Sequence, residues 1–140
     1  PAICYEAIYP DVISSINNDE TQAILMVSND SWFGPTRAPW QHLNMARMRS
    51  LELQKPMLRC TNSGVTTIID PHGNLEKIIE SDKEGVLSAS FQTYKGMTPY
   101  AKYGDTPVVI LMFALIIFGF ISSKKTIDKN NDALQKLVRP

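Results

Sequence analysis

The sequence predicts a mixed α/β domain that leads into one membrane-spanning helix. Three observations carry that reading. Short apolar runs rich in β-branched residues, Ala23–Val27 and Val65–Ile69, are bounded by turn-forming residues, as strands are. A stretch of strong helix formers, Trp40–Gln54, lies between them. Composition then changes near residue 98, and the 18 residues from Thr106 to Ser123 (TPVVILMFALIIFGFISS) carry no charged side chain. The implied organisation is a globular part over 1–98, a juxtamembrane segment and transmembrane helix over 99–123, and a basic tail over 124–140.

The opening PAICYE has the profile of a strand that runs out into a turn. The second strand, AILMV at 23–27, is expected to end in the turn-forming Ser28-Asn29-Asp30. Pro39 is tolerable in the first turn of the helix that follows. That helix's apolar residues, Trp40, Leu43, Met45, Ala46, Met48, Leu51 and Leu53, go most of the way round. It is therefore expected to lie between a sheet and a further layer. Asp70-Pro71-His72-Gly73 places Asp, Pro and Gly at the turn positions that favour them, predicting a hairpin from Val65–Ile69 to Leu75–Ile79. Gly85–Ala89 is a candidate for one more strand.

The strictly apolar part of the span, Pro107–Ile121, has 15 residues. A spanning helix needs roughly 17–25, so the flanking Thr and Ser residues must be counted in. Tyr100 and Tyr103 precede it and Lys124 and Lys125 follow, as interfacial aromatics and snorkelling lysines do. A buried core helix is the alternative, since an all-round apolar surface suits either setting. After the span, Lys124, Lys125, Lys129, Lys136 and Arg139 outnumber Asp128 and Asp132, which puts the tail on the cytoplasmic side. The globular part then faces outward, in a bacterium into the periplasm, where Cys4 and Cys60 could pair as a disulfide.

Lys and Arg total 14, as do Asp and Glu, so no basic field draws in nucleic acid, which is excluded as an expected partner. Two cysteines without CxxC spacing give no zinc site, and neither a metal nor a cofactor is expected. The chain begins at Pro1 with what reads as a strand, which is the aspect of a C-terminal portion.

Cys4 stands where α/β folds expose reactive groups, at the end of a strand. It reads either as a small buried hydrophobe or as a nucleophile. A thiol nucleophile needs a base or a lowered pKa. Glu6, His42 and His72 are the candidates within the chain. His72 is most simply a solvated turn residue, and nothing in the sequence fixes the distance from His42 to Cys4. Glu6 alone would raise the thiol's pKa, so the activating cation, a lysine, and probably a second carboxylate are expected from outside these residues. The 140 residues by themselves are accordingly expected to be inactive.

ICYE at 3–6, VSNDSWFG at 27–34, PWQHLNMARMRSLELQKPMLRCTNSG at 39–64 and GMTPYAKYGDTP at 96–107, followed by a membrane span, together carry a resemblance. They resemble the C-terminal part of the bacterial apolipoprotein N-acyltransferases, membrane-anchored members of the nitrilase superfamily. The resemblance implies part of an α-β-β-α sandwich and a Glu-Lys-Cys triad, set in a multi-pass protein of the inner membrane whose catalytic domain faces the periplasm. It implies acyl transfer from a phospholipid, through a cysteine thioester, to the N-terminal amine of a diacylglyceryl-cysteine apolipoprotein. Cys4 matches the nucleophile, and Tyr5 and Glu6 the two supporting residues after it, while the family's glutamate base and lysine precede the cysteine. Cys60 departs from the pattern, where serine is expected. Trp32 and Phe33 would be loop aromatics near the lipid entry; the alternative is that they close over the core. A nitrilase-type carbon–nitrogen hydrolase and a non-catalytic membrane-tethered module are the competing functions.

Overall fold

The computed structural model describes the backbone of residues 1–138 and the side chains of residues 1–127. The readings at Asp128, Lys129, Asp132, Lys136 and Arg139 fall outside the described side chains. Pro1–Gly104 and Asp105–Pro140 form separate compact units.

In the first unit, strands β1 (Ala2–Ile3), β2 (Ile24–Asn29), β3 (Met57–Asn62), β4 (Thr66–Ile69) and β5 (Leu75–Ile79) form one sheet in that order. The first three are parallel, and β4 and β5 add antiparallel. Parallel neighbours need long crossovers. A 3-10 turn (Cys4–Ile8) and helix α1 (Pro10–Ser15) lie between β1 and β2, and helix α2 (Ala38–Leu53) between β2 and β3. Helix α3 (Pro99–Tyr103) follows β5, and the Thr98 hydroxyl before it donates to the Glu52 carbonyl at 2.6 Å.

Because side chains alternate across a strand, the register sorts the sheet into two faces. Ala2, Met26 and Arg59 sit side by side and are buried, with Met57, Ile69 and the α2 residues Leu43, Ala46 and Leu53 completing the core. Ile3, Val27 and Cys60 sit side by side on the opposite face and are exposed. Leu25 and Leu58 share that second face, where Gly85, Val86 and Leu87 border a cavity with them and with Ile68. A sheet apolar on both sides suits a sandwich layer, which is covered twice. The first unit thus has the helix-on-sheet half of an α-β-β-α arrangement.

Several expectations are corrected. Gly85–Ala89 is not a strand: it pairs with no strand of the sheet, although Leu87 and Ala89 are half-buried, and Lys77 Nζ donating to the Ser88 carbonyl at 2.7 Å holds it instead. Met57–Asn62 is a strand the sequence reading lacks, because Arg59 occupies an inward position and breaks the apolar pattern. Strand β2 runs on through Ser28 and Asn29, which pair with Thr61 and Asn62. Helix α2 buries one stripe, Pro39, His42, Leu43, Ala46, Arg49, Ser50 and Leu53, while Trp40, Met45, Met48 and Leu51 are exposed. Polar residues inside the stripe and apolar ones outside it are what made the helix look apolar all round. Cys4 and Cys60 are both free. The register puts two strand spacings, about 10 Å, between Ile3 and Cys60, too far for a disulfide next door at Cys4.

The hairpin at Asp70–Gly73 is present. Asp70 Oδ1 accepts from the backbone of His72 and of Asn74, both at 2.8 Å, and Gly73 takes φ 78°, where a side chain would be strained. In the second unit, helix α4 (Thr106–Val138) contains a 22-residue stretch, Thr106–Ile127, whose most apolar 18-residue window has a mean hydropathy of 2.3. It is long and apolar enough to cross a membrane, and none of its most apolar window is buried, unlike a core helix.

Candidate active site

Strand β1 stops at Ile3, and Cys4 opens the 3-10 turn with φ 49°. A non-glycine residue in this left-handed region costs about 1–2 kcal/mol. Such a junction at a strand end turns a side chain out of the sheet, as nucleophile-bearing turns do. Glu6 Oε2 accepts the Ile3 N–H at 2.7 Å and so braces the turn from one side. Ala7, fully buried, anchors its far end.

Helix α2 braces it from the other side. His42 Nε2 lies 3.1 Å from the Cys4 carbonyl oxygen. A carbonyl only accepts, so Nε2 carries a proton and donates it. Nδ1 lies 3.1 Å from Asp30 Oδ1 and 3.3 Å from an Arg59 guanidinium nitrogen. Protonated, Nδ1 donates to the carboxylate; unprotonated, it accepts from the guanidinium. Arg59 donates to Asp30 Oδ2 at 2.8 Å and to the Val65 carbonyl at 3.2 Å, and the Ser28 hydroxyl donates to Asp30 Oδ1 at 2.6 Å. Asp30, His42 and Arg59 are all buried.

Burial pushes the Asp30 carboxyl up, but hydrogen bonds from His42 and Ser28 and the charges of Arg59 and His42 outweigh it, holding the group below the usual carboxylate range. Burial pushes Arg59 down, opposed by the Asp30 carboxylate and by charge on the Cys4 sulfur. The arginine stays charged and attracts a thiolate at position 4. Gly64 is needed beside this group: a Cβ there would lie 2.3 Å from Asp30 Oδ2.

Aromatic rings surround His42. Tyr5 lies 6.2 Å away, Phe33 meets it edge-on at 6.0 Å, Trp32 stacks on Phe33 at 5.7 Å, and Tyr9 adjoins Tyr5 at 6.3 Å. Trp32 is 73% exposed and therefore does not close over the core; Phe33 is half-buried.

The structure thus gathers Cys4, Tyr5, Phe33 and His42, with Trp32 at the outer end. Glu6 is close in sequence but spends its carboxylate on the Ile3 N–H. His42 reaches the backbone of Cys4, which is a different role from that of a base on its sulfur. His72 is exposed in the β4–β5 turn. Asp30 and Arg59 are what the sequence reading missed. Asp30 looked like an ordinary turn residue, and Arg59 sits in the unpredicted β3. The one available signal was that a charged residue at an inward strand position must have a partner. Arg59, paired with Asp30, is also a buried cation whose charge interacts with Cys4. A half-buried thiol on a backbone held by His42, whose ring neighbours Tyr5 and Phe33, suits attack on a carbonyl carbon next to an apolar group.

The curated relatives agree along nearly the whole chain. An apolipoprotein N-acyltransferase of Shewanella oneidensis is 44% identical over 125 residues, covering 89% of this chain and 24% of the relative. That of Wigglesworthia glossinidia brevipalpis is 42% identical over 132 residues, covering 94% and 26%. That of Haemophilus influenzae is 39% identical over 131 residues, covering 91% and 25%. The chain spans about a quarter of the length of these relatives. The family model described as carbon-nitrogen hydrolase matches residues 1–96, the sheet with Cys4 at the end of its first strand, and the chain belongs to that family.

Proposed function

We propose that the chain is the C-terminal portion of an apolipoprotein N-acyltransferase, with Cys4 as its acyl carrier. One observation carries the reading: relatives of that name match as much as 94% of the chain, and the carbon-nitrogen hydrolase model matches residues 1–96, which include the Cys4 turn and the aromatic loop. The thiolate of Cys4 attacks the ester carbonyl of a phospholipid. The acyl C–O bond breaks, and the lysophospholipid alkoxide leaves with a proton. The α-amine of a diacylglyceryl-cysteine apolipoprotein then attacks the thioester; the C–S bond breaks, an amide forms, and the amine's proton is released as the thiolate is restored. The glutamate base and the lysine of the triad belong to sequence outside this chain, while Tyr5 and Glu6 support the turn.

Trp32 and Phe33 would receive the acyl chain, which an exposed aromatic pair favours. Residues 1–98 then serve as the C-terminal part of the catalytic domain, 99–123 as the juxtamembrane segment and span, and 124–140 as a cytoplasmic tail. The catalytic part would face the periplasm at the inner membrane of a multi-pass protein. An apolar helix keeps such a site near its lipid donor, which weighs against a carbon–nitrogen hydrolase acting on a soluble substrate.

The test is mass spectrometry of the full-length polypeptide after incubation with phospholipid vesicles. An acyl adduct on Cys4 that is absent from Cys4→Ser is the expected result; turnover surviving in Cys4→Ser would reject the reading. Replacing Trp32 and Phe33 together by Ala should lower thioester yield while the domain still melts cooperatively.

A further inference from the structure

We propose that His42 is a positioning residue for the nucleophile. Held by Asp30 and Arg59, it donates Nε2–H to the Cys4 carbonyl and thereby fixes the left-handed conformation that aims the sulfur. This rests on the reading of Cys4 as acyl carrier.

The Cys4 backbone is the strained point of the turn, with φ 49° in a residue that has a Cβ. Such a conformation persists only where its surroundings over-determine it. Two contacts do so here. Glu6 Oε2 holds the Ile3 N–H at 2.7 Å, and His42 Nε2 holds the Cys4 oxygen at 3.1 Å. Relaxing Cys4 to an ordinary backbone conformation would rotate its carbonyl away from Nε2 and re-aim the Cα–Cβ bond that carries the sulfur.

The imidazole is itself fixed. Its ring lies between Tyr5 and Phe33, and Nδ1 faces both Asp30 and Arg59. Distant parts of the chain meet at this ring: α2 supplies His42, which alone reaches the Cys4 carbonyl, while Arg59 of β3 and Asp30, the residue just after β2, hold its Nδ1 side. A buried cluster of this kind gives little stability over an apolar filling of the same volume. Its termination on the carbonyl of the candidate nucleophile assigns it a positioning role. His42 is therefore not the base for the thiol, since its Nε2 proton is committed to an oxygen.

The test uses full-length polypeptide in phospholipid vesicles, with a diacylglyceryl-cysteine peptide as acceptor. Three variants are compared: His42→Ala, His42→Gln and Cys4→Ser. His42→Ala should lower kcat by about tenfold to a hundredfold, the worth of one hydrogen bond that aligns a reacting group. KM for the phospholipid should change by less than about threefold, because the bond is not made to substrate. His42→Gln keeps an N–H near the Nε2 position and should recover most of the loss. A His42→Ala enzyme with normal kcat overturns the proposal, and so does a folded His42→Gln enzyme that is no faster than His42→Ala. Failure of both variants to fold also overturns it, since the role would then be structural. Turnover by Cys4→Ser would reject the acyl-carrier reading and this inference with it; an inert Cys4→Ser beside a normal His42→Ala rejects the inference alone.

Discussion

Asp30 shows how much one buried carboxylate constrains this protein. Its side chain is fully buried and accepts from Ser28 and Arg59 while facing His42, and its pKa is held below the ordinary value. A depressed carboxyl pKa adds stability above the unfolded value, about 3.9, and loses it as pH falls through the folded value. Urea unfolding should therefore show stability falling below about pH 4. Asp30→Asn should flatten that acid limb while lowering stability at pH 7 by about 3–5 kcal/mol, because Arg59 is left buried without its counter-charge. An acid limb unchanged in Asp30→Asn would assign it to other carboxylates. Nothing in Ser28-Asn29-Asp30 as a string distinguishes this residue from a solvated turn aspartate. Its burial follows from the close approach of Gly64, a long-range contact that local sequence does not encode.

Helix α2 could be placed from the sequence to within about two residues at each end, as propensity and Pro39 allow. The side it buries could not, because His42, Arg49 and Ser50 lie in the buried stripe while Trp40 and Met48 are exposed. Its end also stores strain. Gln54 adopts φ 53° and ψ 41°, the left-handed position that closes helices and favours glycine. Its side chain makes only long hydrogen bonds, at 3.3 and 3.4 Å, to the carbonyls of Leu51 and Pro71. Gln54→Gly should stabilise the protein by about 0.5–1 kcal/mol, read as a rise in Tm of a few degrees. A fall in Tm would mean that those two bonds outweigh the strain. Strand β3 is the opposite case: an inward arginine hid it, and only pairing with β2 and β4 makes it a strand.

For the whole molecule, the apolar helix and the two-faced sheet point to different surroundings. Thr106–Ile127 has the length and hydropathy of a span, and Leu115 lies near its middle. Replacing Leu115 with Arg should reduce membrane insertion of this segment by about 3 kcal/mol in a translocon-insertion assay. Equal insertion of both sequences would argue that α4 does not cross the bilayer. The sheet's second face, with Ile3 at 61%, Leu25 at 50% and Val27 at 44% exposure, has the apolar character of a surface made to be covered.

The sequence by itself determined the helix α2, the Asp70–Gly73 hairpin, the apolar span and the placing of Cys4 at the end of a strand. Each of these is written in local periodicity, turn chemistry or unbroken hydropathy. The tertiary structure alone decided that Asp30 and Arg59 gather around His42, which reaches the Cys4 carbonyl, that Trp32 is exposed, and that Gly85–Ala89 is not a strand. Those outcomes depend on which distant groups meet once water is excluded: a buried charge takes its role from its partners, and a strand exists only where a neighbour accepts its hydrogen bonds.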